Sequence, residues 1–436
     1  MALLTINGGR VLNGEIECQG SKNSALPILA ACFLVRGKCE IHNCPKLSDI
    51  EGTINILKSL GCDVVFEQNT IVVDSRNASG YEIPEELMHE MRSSIIFLGA
   101  ILGRSGRAVI STPGGCDIGL RPIDLHLSAI KKFGVEINEE HGILDCKCNE
   151  GLKGTAVTLS FPSVGATENI ILAAATAEGT TTILNAAREP EVTDLADFLN
   201  ACGAKIHCSS GIINIEGVKS LHGASHNVIP DRIVCATYLC ATAVTRGEML
   251  LKSVIPAHLG GVFPILDEMG CDLKVGSREI RITAPARLKK ADKISTQPYP
   301  GFPTDLQAIF TTLACIADGT TVIVENIFEC RFKHVPELLK MGAHIKTEGR
   351  VAVVEGIPCL SGANVISTDL RGSCALVLAG LCAKGTTVVG KINHLDRGYE
   401  NFDETLTSLG ASIVRTEEAH EKEDEKQTGA NNSEQR

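Results

Sequence analysis

The chain has 436 residues, enough for two or three domains, and its 44% hydrophobic and 21% charged residues are typical of a globular protein. Its net charge of −11 disfavours nucleic acid or an anionic membrane as a partner, although it allows a local basic pocket for a small anion. The N-terminus has no signal-peptide pattern, and no apolar run reaches the roughly 18–20 residues of a transmembrane helix, so we expect a cytoplasmic protein.

The 18 cysteines are scattered along the chain, and several lie in apolar runs that are typical of helices. In a reducing compartment such cysteines act as small buried hydrophobic residues. This group comprises Cys32, Cys240, Cys315 and Cys382. No pair has C-x-x-C spacing, and Cys146 and Cys148 lie two residues apart on a predicted strand, which is poor geometry for zinc. The sequence therefore predicts no metal site and no cofactor.

Six consecutive units share one pattern, which two sets of glycines mark. The first set lies in similar motifs at Gly61 (SLGCDV), Gly134 (KFGVEI), Gly203 (ACGAKI), Gly270 (EMGCDL), Gly342 (KMGAHI) and Gly410 (SLGASI). Successive intervals are 73, 69, 67, 72 and 68 residues. A second set lies 23 to 28 residues earlier, at Gly37, Gly106, Gly179, Gly247, Gly319 and Gly385. Two glycine positions that recur at nearly constant spacing through six units indicate an internal repeat.

The predicted elements follow in the same order within each unit. A polar opening leads into an apolar helix, such as SALPILAACFLV in the first unit, and the earlier glycine should cap the end of this helix. A β-branched strand such as GTTTILNA comes next, then a second helix such as VPELLKMG that ends at the later glycine. A strand pair such as AKIHCSSGIINIEG closes the unit. The pattern predicts an α/β protein with α-β-α-β-β units, each entered from a preceding strand.

Six units favour two domains of three units, joined near His226–Pro230. A long solenoid is the alternative, but solenoid repeats usually have about 20–50 residues. The longer unit found in this chain fits globular domains with pseudo-threefold symmetry better.

The first helices of the six units open with polar or charged residues. These openings are Lys22-Asn23, Arg92-Ser93, Ser163-Val164-Gly165, Asp231-Arg232, Asp305 and Asp369-Leu370-Arg371. If three helices in a domain point the same way, their N-termini share a face that suits phosphate or carboxylate. For Ser163 and Asp231, helix capping is an equally good interpretation. A cation at a helix N-terminus opposes the dipole, so Lys22, Arg92 and Arg371 indicate a nearby anion.

Seven long segments of the chain are distinctive: SKNSALPILAA at 21–31, PGGCDIGLRPIDLH at 113–126, NAAREPEVTD at 185–194, FPTDLQA at 302–308, FECRFKHVPEL at 328–338, TDLRGSCALVLAG at 368–380 and HLDRGYE at 394–400. Together these segments resemble the UDP-N-acetylglucosamine enolpyruvyl transferases. The resemblance covers about Leu3 to Arg415 and implies two inside-out α/β domains, each of three βαβαββ units with buried helices and outer sheets. It implies an N-terminal domain of residues 21–229 and a C-terminal domain of residues 1–20 with 230–416. Residues 417–436 form an acidic tail that we expect to be disordered.

The resemblance also implies a reaction. The enolpyruvyl group of phosphoenolpyruvate moves to the 3′-hydroxyl of UDP-N-acetylglucosamine by addition and elimination, with release of phosphate, in the first committed step of peptidoglycan synthesis. One alternative is the sister enzyme that uses shikimate 3-phosphate, although it lacks the PGGC loop. The others are a non-catalytic paralogue that binds a nucleotide sugar and a repeat scaffold for protein partners. The oligomeric state stays open.

The family motifs assign the chemistry to Cys116, Asp305, Lys22 and Arg397. Cys116 matches a loop cysteine that donates a proton and can form an adduct with phosphoenolpyruvate; without that match it would be one more inert thiol. Relatives with Asp in its place resist fosfomycin, so Cys116 implies sensitivity. Asp305 matches the carboxylate that accepts the hydroxyl proton or positions the hydroxyl, although FPTD before an apolar run also suits a helix cap.

The remaining candidates match substrate ligands of the family. Lys22, Arg121 and Arg397 match ligands of phosphoenolpyruvate, with Arg92 close by, and their charges suit its phosphate and carboxylate. For any one of these cations, a solvated surface charge is the ordinary alternative. Asn23 matches the residue that holds the sugar hydroxyl. The segments that match the uridine- and diphosphate-binding and cleft-lining positions are Arg121, Pro122, Ile123, Asp124 and Leu125; Ser163, Val164 and Gly165; Ile327; and Arg331, Asp369 and Arg371.

Overall fold

The computed structural model describes residues 2–113 and 123–417. Cys116, Arg121, Pro122 and all but the first residue of the acidic tail lie outside these ranges. Within them the chain forms 23 strands in six small sheets, together with 13 α-helices and four short 3-10 helices. No helix in the described part of the chain is long and apolar enough to cross a bilayer.

The strands are short, and most have five residues. They are β1 (Ala2–Asn7), β2 (Asn13–Glu17), β3 (Lys38–His42), β4 (Asp63–Glu67), β5 (Thr70–Asp74), β6 (Arg107–Ser111), β7 (Glu136–Glu140), β8 (Ile143–Lys147), β9 (Ala156–Thr158), β10 (Thr180–Leu184), β11 (Lys205–Ser209), β12 (Ile212–Glu216), β13 (Ser225–Asn227), β14 (Glu248–Lys252), β15 (Asp272–Val275), β16 (Glu279–Thr283), β17 (Lys293–Ser295), β18 (Thr320–Val324), β19 (His344–Glu348), β20 (Val351–Glu355), β21 (Asn364–Ile366), β22 (Thr386–Gly390) and β23 (Ser412–Glu417).

The helices alternate with these strands. They are α1 (Lys22–Leu34), α2 (Ser48–Ser59), α3 (Glu85–Glu90), α4 (Phe97–Ser105), α5 (Asp124–Lys131), α6 (Val164–Ala174), α7 (Pro190–Ala201), α8 (Arg232–Thr245), α9 (Phe263–Glu268), α10 (Gln307–Ile316), α11 (Val335–Lys340), α12 (Leu370–Cys382) and α13 (Phe402–Ser408). The 3-10 helices are Arg92–Ile96, Pro256–Leu259, Thr304–Leu306 and Ile392–Arg397.

The six sheets repeat one topology, which confirms the predicted repeat. In each four-stranded sheet a short edge strand lies parallel to its neighbour and two antiparallel strands follow, as in the order β9-β10-β12-β11. The sheet β6-β8-β7 has only a single parallel bridge, between Glu82 and Val109, at the place of the edge strand. Each unit therefore has the βαβαββ form, with helix pairs such as α6 and α7 between its strands.

The first helix of a unit is buried on all sides, whereas the strands alternate between buried and exposed positions. In α1 every residue except Asn23 is buried, and in α8 every residue except Arg232 is buried. Strands β12 and β16 bury every second side chain, so each sheet packs one face on the helices and turns the other to solvent. Apolar helices that lack a polar face must lie inside, and this arrangement gives the inside-out α/β architecture.

Two hydrophobic cores result. One runs from Ala25 to Val228, and the other combines Leu4 to Cys18 with Ile233 to Ala411. The first and fourth units exchange the strands that precede them: β2, which comes before the first unit, lies parallel to β14 in the second core, and β13, which comes before the fourth unit, lies parallel to β3 in the first core. The chain segments that connect the cores lie side by side, with a bridge between Gly20 and Pro230.

The later glycine markers serve the predicted role, whereas most of the earlier ones do not. The later glycines all adopt positive φ, between 86° and 108°, after the second helices, as predicted for a helix C-terminus. The earlier glycines were predicted to cap the first helices, and this holds for Gly106 (φ 68°). It is wrong for Gly37 and Gly385, because α1 already ends at Leu34 and α12 at Cys382. These glycines instead precede the next strand.

The cysteines follow the prediction with one exception. Cys32, Cys240 and Cys315 are buried free thiols, and Cys382 is partly buried. Cys18 and Cys235, however, form a disulfide between the segment after β2 and the first turn of α8. This pair was not predicted, because 217 residues separate the two cysteines and no local pattern connects them.

The buried carboxyl of Glu168 on α6 provides a way to test experimentally that this helix lies in the core. Burial raises the pKa of this carboxyl well above its usual range, nearby Glu191 and Glu189 raise it further, and Oε1 has no hydrogen-bond partner. Folding then loses stability as pH rises above the ordinary carboxyl pKa, by up to about 1.4 kcal/mol per pH unit. We expect the difference in melting temperature between Glu168→Gln and wild type to grow in favour of the variant as pH increases from 5 to 8. The exposed substitution Glu404→Gln is the control, and equal pH profiles for wild type and Glu168→Gln would contradict the burial argument.

Candidate active site

Two cations from opposite cores share one carboxylate. Lys22 opens α1, and its Nζ lies 2.9 Å from Oδ2 of Asp49, in the first turn of α2. Arg397, in the 3-10 helix of the second core, places Nε 2.8 Å from Oδ1 of the same carboxylate. Burial alone would raise the pKa of Asp49, but the charges of Lys22 and Arg397 outweigh burial and lower it. Asp49 is therefore ionised and holds the two cations together.

A second cluster surrounds Asp305. Its Oδ1 lies 2.7 Å from Nη2 of Arg331 and 3.6 Å from Nε of Arg371, and both arginine side chains are almost completely buried. Burial would raise the pKa of Asp305, but Arg371 and Arg331 outweigh it and hold the pKa below its ordinary value. The residue precedes α10 in a 3-10 helix whose N-cap makes no side-chain hydrogen bond. Asp305 therefore pairs with guanidinium groups and does not cap the helix.

Arg371 has further partners that fix its side chain. Its Nη1 donates to the hydroxyl of Tyr399 at 3.1 Å, and its guanidinium lies 5.4 Å from the centre of that ring. Burial would lower the pKa of Arg371, yet Tyr399 and Asp305 keep it raised. Asp369, in contrast, caps α12 by accepting from the backbone N–H groups of Arg371 and Gly372 at 3.1 Å. Its role is to fix the turn that carries Arg371.

The two clusters belong to one electrostatic unit. Asp231 caps α8, and its Oδ2 accepts a hydrogen bond from the backbone N–H of Lys22 at 3.3 Å. Asp231 also contributes to the raised pKa of Arg371, and the Lys22 charge contributes to the lowered pKa of Asp305. The helix-cap interpretation of Asp231 is therefore confirmed, and the same carboxylate also lies beside the cations.

The first core contributes a third group of helix starts. Arg92 opens a 3-10 helix, Ile123 precedes α5, whose first turn holds Asp124 and Leu125, and Ser163 caps α6, which opens with Val164 and Gly165. Asn169 of α6 connects the other two helices. Its amide donates to the carbonyl of Ile95 in the 3-10 helix at 2.8 Å and lies 2.9 Å from Nδ1 of His126 in α5. A side chain at Gly165 would crowd His126, with a Cβ only 3.2 Å from Cε1. Helix α6 therefore lies beside the first turn of α5 at Gly165 and beside the end of the 3-10 helix at Asn169.

Ile327 lies in the loop after β18, and Glu325 holds this loop beside Asp305. Oε1 of the buried Glu325 accepts from the backbone N–H of Ile327 at 2.8 Å, and Oε2 accepts from Thr304 at 2.9 Å. Since Thr304 precedes Asp305, one carboxylate fixes both segments.

The cores also meet at an ion pair that the sequence did not indicate. Nε of Arg232 lies 3.0 Å from Oε1 of Glu191, and the backbone N–H of Tyr299 donates to Glu189 at 3.3 Å. Asp49 and Tyr399 were missed as well. An acidic residue in the first helical turn is common, because it complements the helix dipole, so no sequence signal distinguishes Asp49. For Tyr399 the sequence offered one signal, the motif HLDRGYE, in which Tyr399 follows Arg397 by two residues.

The solved structures that this chain resembles define its class. The family model of EPSP synthase (3-phosphoshikimate 1-carboxyvinyltransferase) matches residues 6–406. The enolpyruvyl transferase NikO from Streptomyces tendae has a TM-score of 0.86 at 28% identity, over 95% of this chain and 99% of that chain. EPSP synthase from Acinetobacter baumannii has a TM-score of 0.74 at 19% identity, over 96% and 100%, which supports the fold alone. The fold is that of an enolpyruvyl transferase.

Relatives with similar sequences show which kind of enolpyruvyl transferase this chain is. The UDP-N-acetylglucosamine 1-carboxyvinyltransferase 2 of Caldanaerobacter subterraneus is 53% identical over 416 residues, 95% of this chain and 100% of the relative. The UDP-N-acetylglucosamine 1-carboxyvinyltransferase 1 of Symbiobacterium thermophilum is 48% identical, over 94% of each chain. The chain therefore belongs to the EPSP synthase family, among its UDP-N-acetylglucosamine 1-carboxyvinyltransferases. The resemblance read from the sequence is confirmed.

Neutralising Asp49 should destabilise the protein, because two cations would lose their shared counter-charge. We expect Asp49→Asn to lower the free energy of unfolding by about 3 kcal/mol at pH 7. Since the pKa of Asp49 is lowered, its contribution is present above the ordinary carboxyl pKa and disappears as pH falls through the lowered value. Inorganic phosphate should raise the melting temperature of the variant more than that of wild type, because it supplies a replacement anion.

The control for this prediction is Asp292→Asn, which removes the exposed ion pair with Lys290 and should leave the melting temperature nearly unchanged. A variant at Asp49 that is as stable as wild type and indifferent to phosphate would contradict the role of this carboxylate.

Proposed function

We propose that this protein transfers the enolpyruvyl group of phosphoenolpyruvate to the 3′-hydroxyl of UDP-N-acetylglucosamine and releases phosphate. The observation that carries the proposal is the pair of cations from opposite cores, Lys22 and Arg397, which Asp49 holds beside the Asp305 cluster. Family membership provides independent support, since relatives at about 50% identity carry this activity in their names.

Phosphoenolpyruvate would bind at Lys22 and Arg397, with Arg92 and Arg121 completing the cationic site. A phosphate and a carboxylate need several charge-assisted hydrogen bonds, and guanidinium groups supply them in pairs. Asp49 prepares the site because it keeps two like charges close before the substrate arrives. Binding would then add anionic charge where the cations already lie, with little rearrangement of their side chains.

Asp305 would face the attacking hydroxyl. Its lowered pKa makes it a weak base in the free protein, so its first role is to accept a hydrogen bond and orient the 3′-hydroxyl. Anionic substrates that neutralise the surrounding guanidinium groups would weaken the effect that lowers this pKa, and Asp305 would then become a better proton acceptor. The base is thus strengthened only when the substrates are present.

The reaction would proceed in two steps. The 3′-oxygen attacks C2 of the enol and loses its proton toward Asp305, while C3 gains a proton from Cys116 to give a tetrahedral phospho-ketal. A proton then leaves C3, the C2–C3 double bond forms again, and the C–O bond to phosphate breaks. Arg331 and Arg371 lie beside Asp305 and would stabilise the charge that develops at this end of the cleft.

The nucleotide sugar would bind to the remaining candidates. Asn23, the partly exposed residue of α1, would hold the sugar hydroxyl. The segments 121–125 and 163–165 would hold the uridine and diphosphate, in part through the free N–H groups at the start of α6. Ile327, on the loop that Glu325 ties to Thr304, would close this site from the second core.

We also propose that the two hydrophobic cores are two domains, with residues 21–229 in one and residues 1–20 with 230–416 in the other. The product of the reaction enters peptidoglycan synthesis, so the protein would act in the cytoplasm in cell wall formation, cell shape and cell division. Its partners would be the two small substrates, without nucleic acid or membrane.

A phosphate-release assay with purified protein tests the proposed function. We expect release with phosphoenolpyruvate and UDP-N-acetylglucosamine and none with shikimate 3-phosphate as acceptor. Asp305→Asn should lower kcat by about 10²–10⁴-fold, because the hydroxyl loses both its positioning group and its base. Asp292→Asn is the control on the surface. Release with shikimate 3-phosphate, or with neither acceptor, would contradict the proposal.

Cys116 offers a separate test through inhibition. If Cys116 reacts with the epoxide fosfomycin, the wild-type enzyme should lose activity with time, and Cys116→Asp should keep activity in its presence because a carboxylate is a poorer nucleophile than a thiolate. Mass spectrometry should locate the adduct on Cys116 among the 18 cysteines. A wild-type enzyme that stays active and unmodified would show that this assignment is wrong.

A further inference from the structure

A buried carboxylate on α7 joins three segments of the first core. Asp194 is 4% exposed, and its Oδ2 accepts hydrogen bonds from the hydroxyl of Ser24 and from the backbone N–H of Ile229, the latter at 3.3 Å. Its Oδ1 lies 2.8 Å from Nε2 of His226. A buried carboxylate is costly unless hydrogen bonds or charges satisfy it, and here both oxygens have partners.

The partners of Asp194 adjoin the substrate-binding turn. Ser24 is buried and directly follows Lys22 and Asn23 in the chain. Ile229 is fixed to the same turn, because its carbonyl accepts from the backbone N–H of Ser21 at 2.7 Å, and Ser21 caps α1. Asp194 therefore holds the start of α1 and the connecting strand beside it with one carboxylate.

The same helix contacts the second core. Glu191 pairs with Arg232, and Glu189 accepts from the backbone of Tyr299. Asp194 follows Glu191 by three residues, a spacing that places both side chains on neighbouring positions of one helix face. Helix α7 thus carries the contacts between the cores at its first turn and the contact with Ser24 at its second.

We propose that Asp194 is a positioning residue for both substrates. Through Ser24 it holds Lys22 and Asn23 in the orientation that binds phosphoenolpyruvate and the nucleotide sugar, and α7 couples that orientation to the contact between the cores. This inference rests on the proposed function, since it assumes that Lys22 and Asn23 bind the substrates. Asp194 itself touches neither substrate.

Steady-state kinetics of matched variants test the proposal. Asp194→Ala removes every contact and should raise the KM of both substrates by about tenfold, with a smaller change in kcat, because binding is lost before chemistry. Asp194→Asn keeps an oxygen toward Ser24 and should restore most of the affinity. Asp197→Ala, one turn further along α7 at an exposed position, is the control and should match wild type.

Ser24→Ala provides a second route if Asp194→Ala fails to fold. It should also raise both KM values, and the double variant should show no further rise over Asp194→Ala, because the contact between Ser24 and Asp194 is already lost in that variant. An active wild type whose KM values are unchanged by Asp194→Ala or Ser24→Ala would overturn the inference alone. Additive effects of the two substitutions would also overturn it. A wild type without phosphate release would overturn the proposed function and this inference with it.

Discussion

A buried cation needs a carboxylate nearby, and this requirement determines how the charged residues are arranged between the two cores. Lys22, Arg331 and Arg371 are nearly excluded from water, and each has an acidic partner in Asp49 or Asp305. Lys22 and Arg371 lie at helix starts, where a cation opposes the dipole and needs further compensation. Asp49 and Asp305 each face two cations, so Lys22, Arg397, Arg331 and Arg371 exceed these two carboxylates and the neighbouring Asp231 by one charge. The surplus suits phosphorylated ligands.

The exchange of strands between the first and fourth units makes that pairing possible. Because β2 lies in the second core and β13 in the first, the chain crosses between the cores once after each of these strands, in adjacent segments with Gly20 beside Pro230. The crossings place the starts of α1 and α8 next to each other, so that Asp231 accepts from the backbone of Lys22. Two connections also restrict how the cores can move relative to each other.

The site residues could be predicted from the sequence where they lie in a motif of the family. Lys22, Asp305, Arg331, Arg371 and Arg397 all lie in segments that match the family, and the structure brings them into two adjoining clusters. Asp49 and the pair Glu191–Arg232 were not predictable as partners, because each bond joins residues that lie far apart in the chain. The helix-cap alternative for Asp305 also needed coordinates, since only the direction of its side chain distinguishes a cap from an ion pair.

The sequence alone determined the six units and their order of elements, and the resemblance to the family implied that their helices are buried. Glycine spacing and helices without a polar face are local properties, so they can be read from a single chain. The tertiary structure decided which strand joins which sheet, that Cys18 pairs with Cys235, and which carboxylate compensates each buried cation. These outcomes depend on distances between residues remote in sequence, and packing of the whole chain sets those distances.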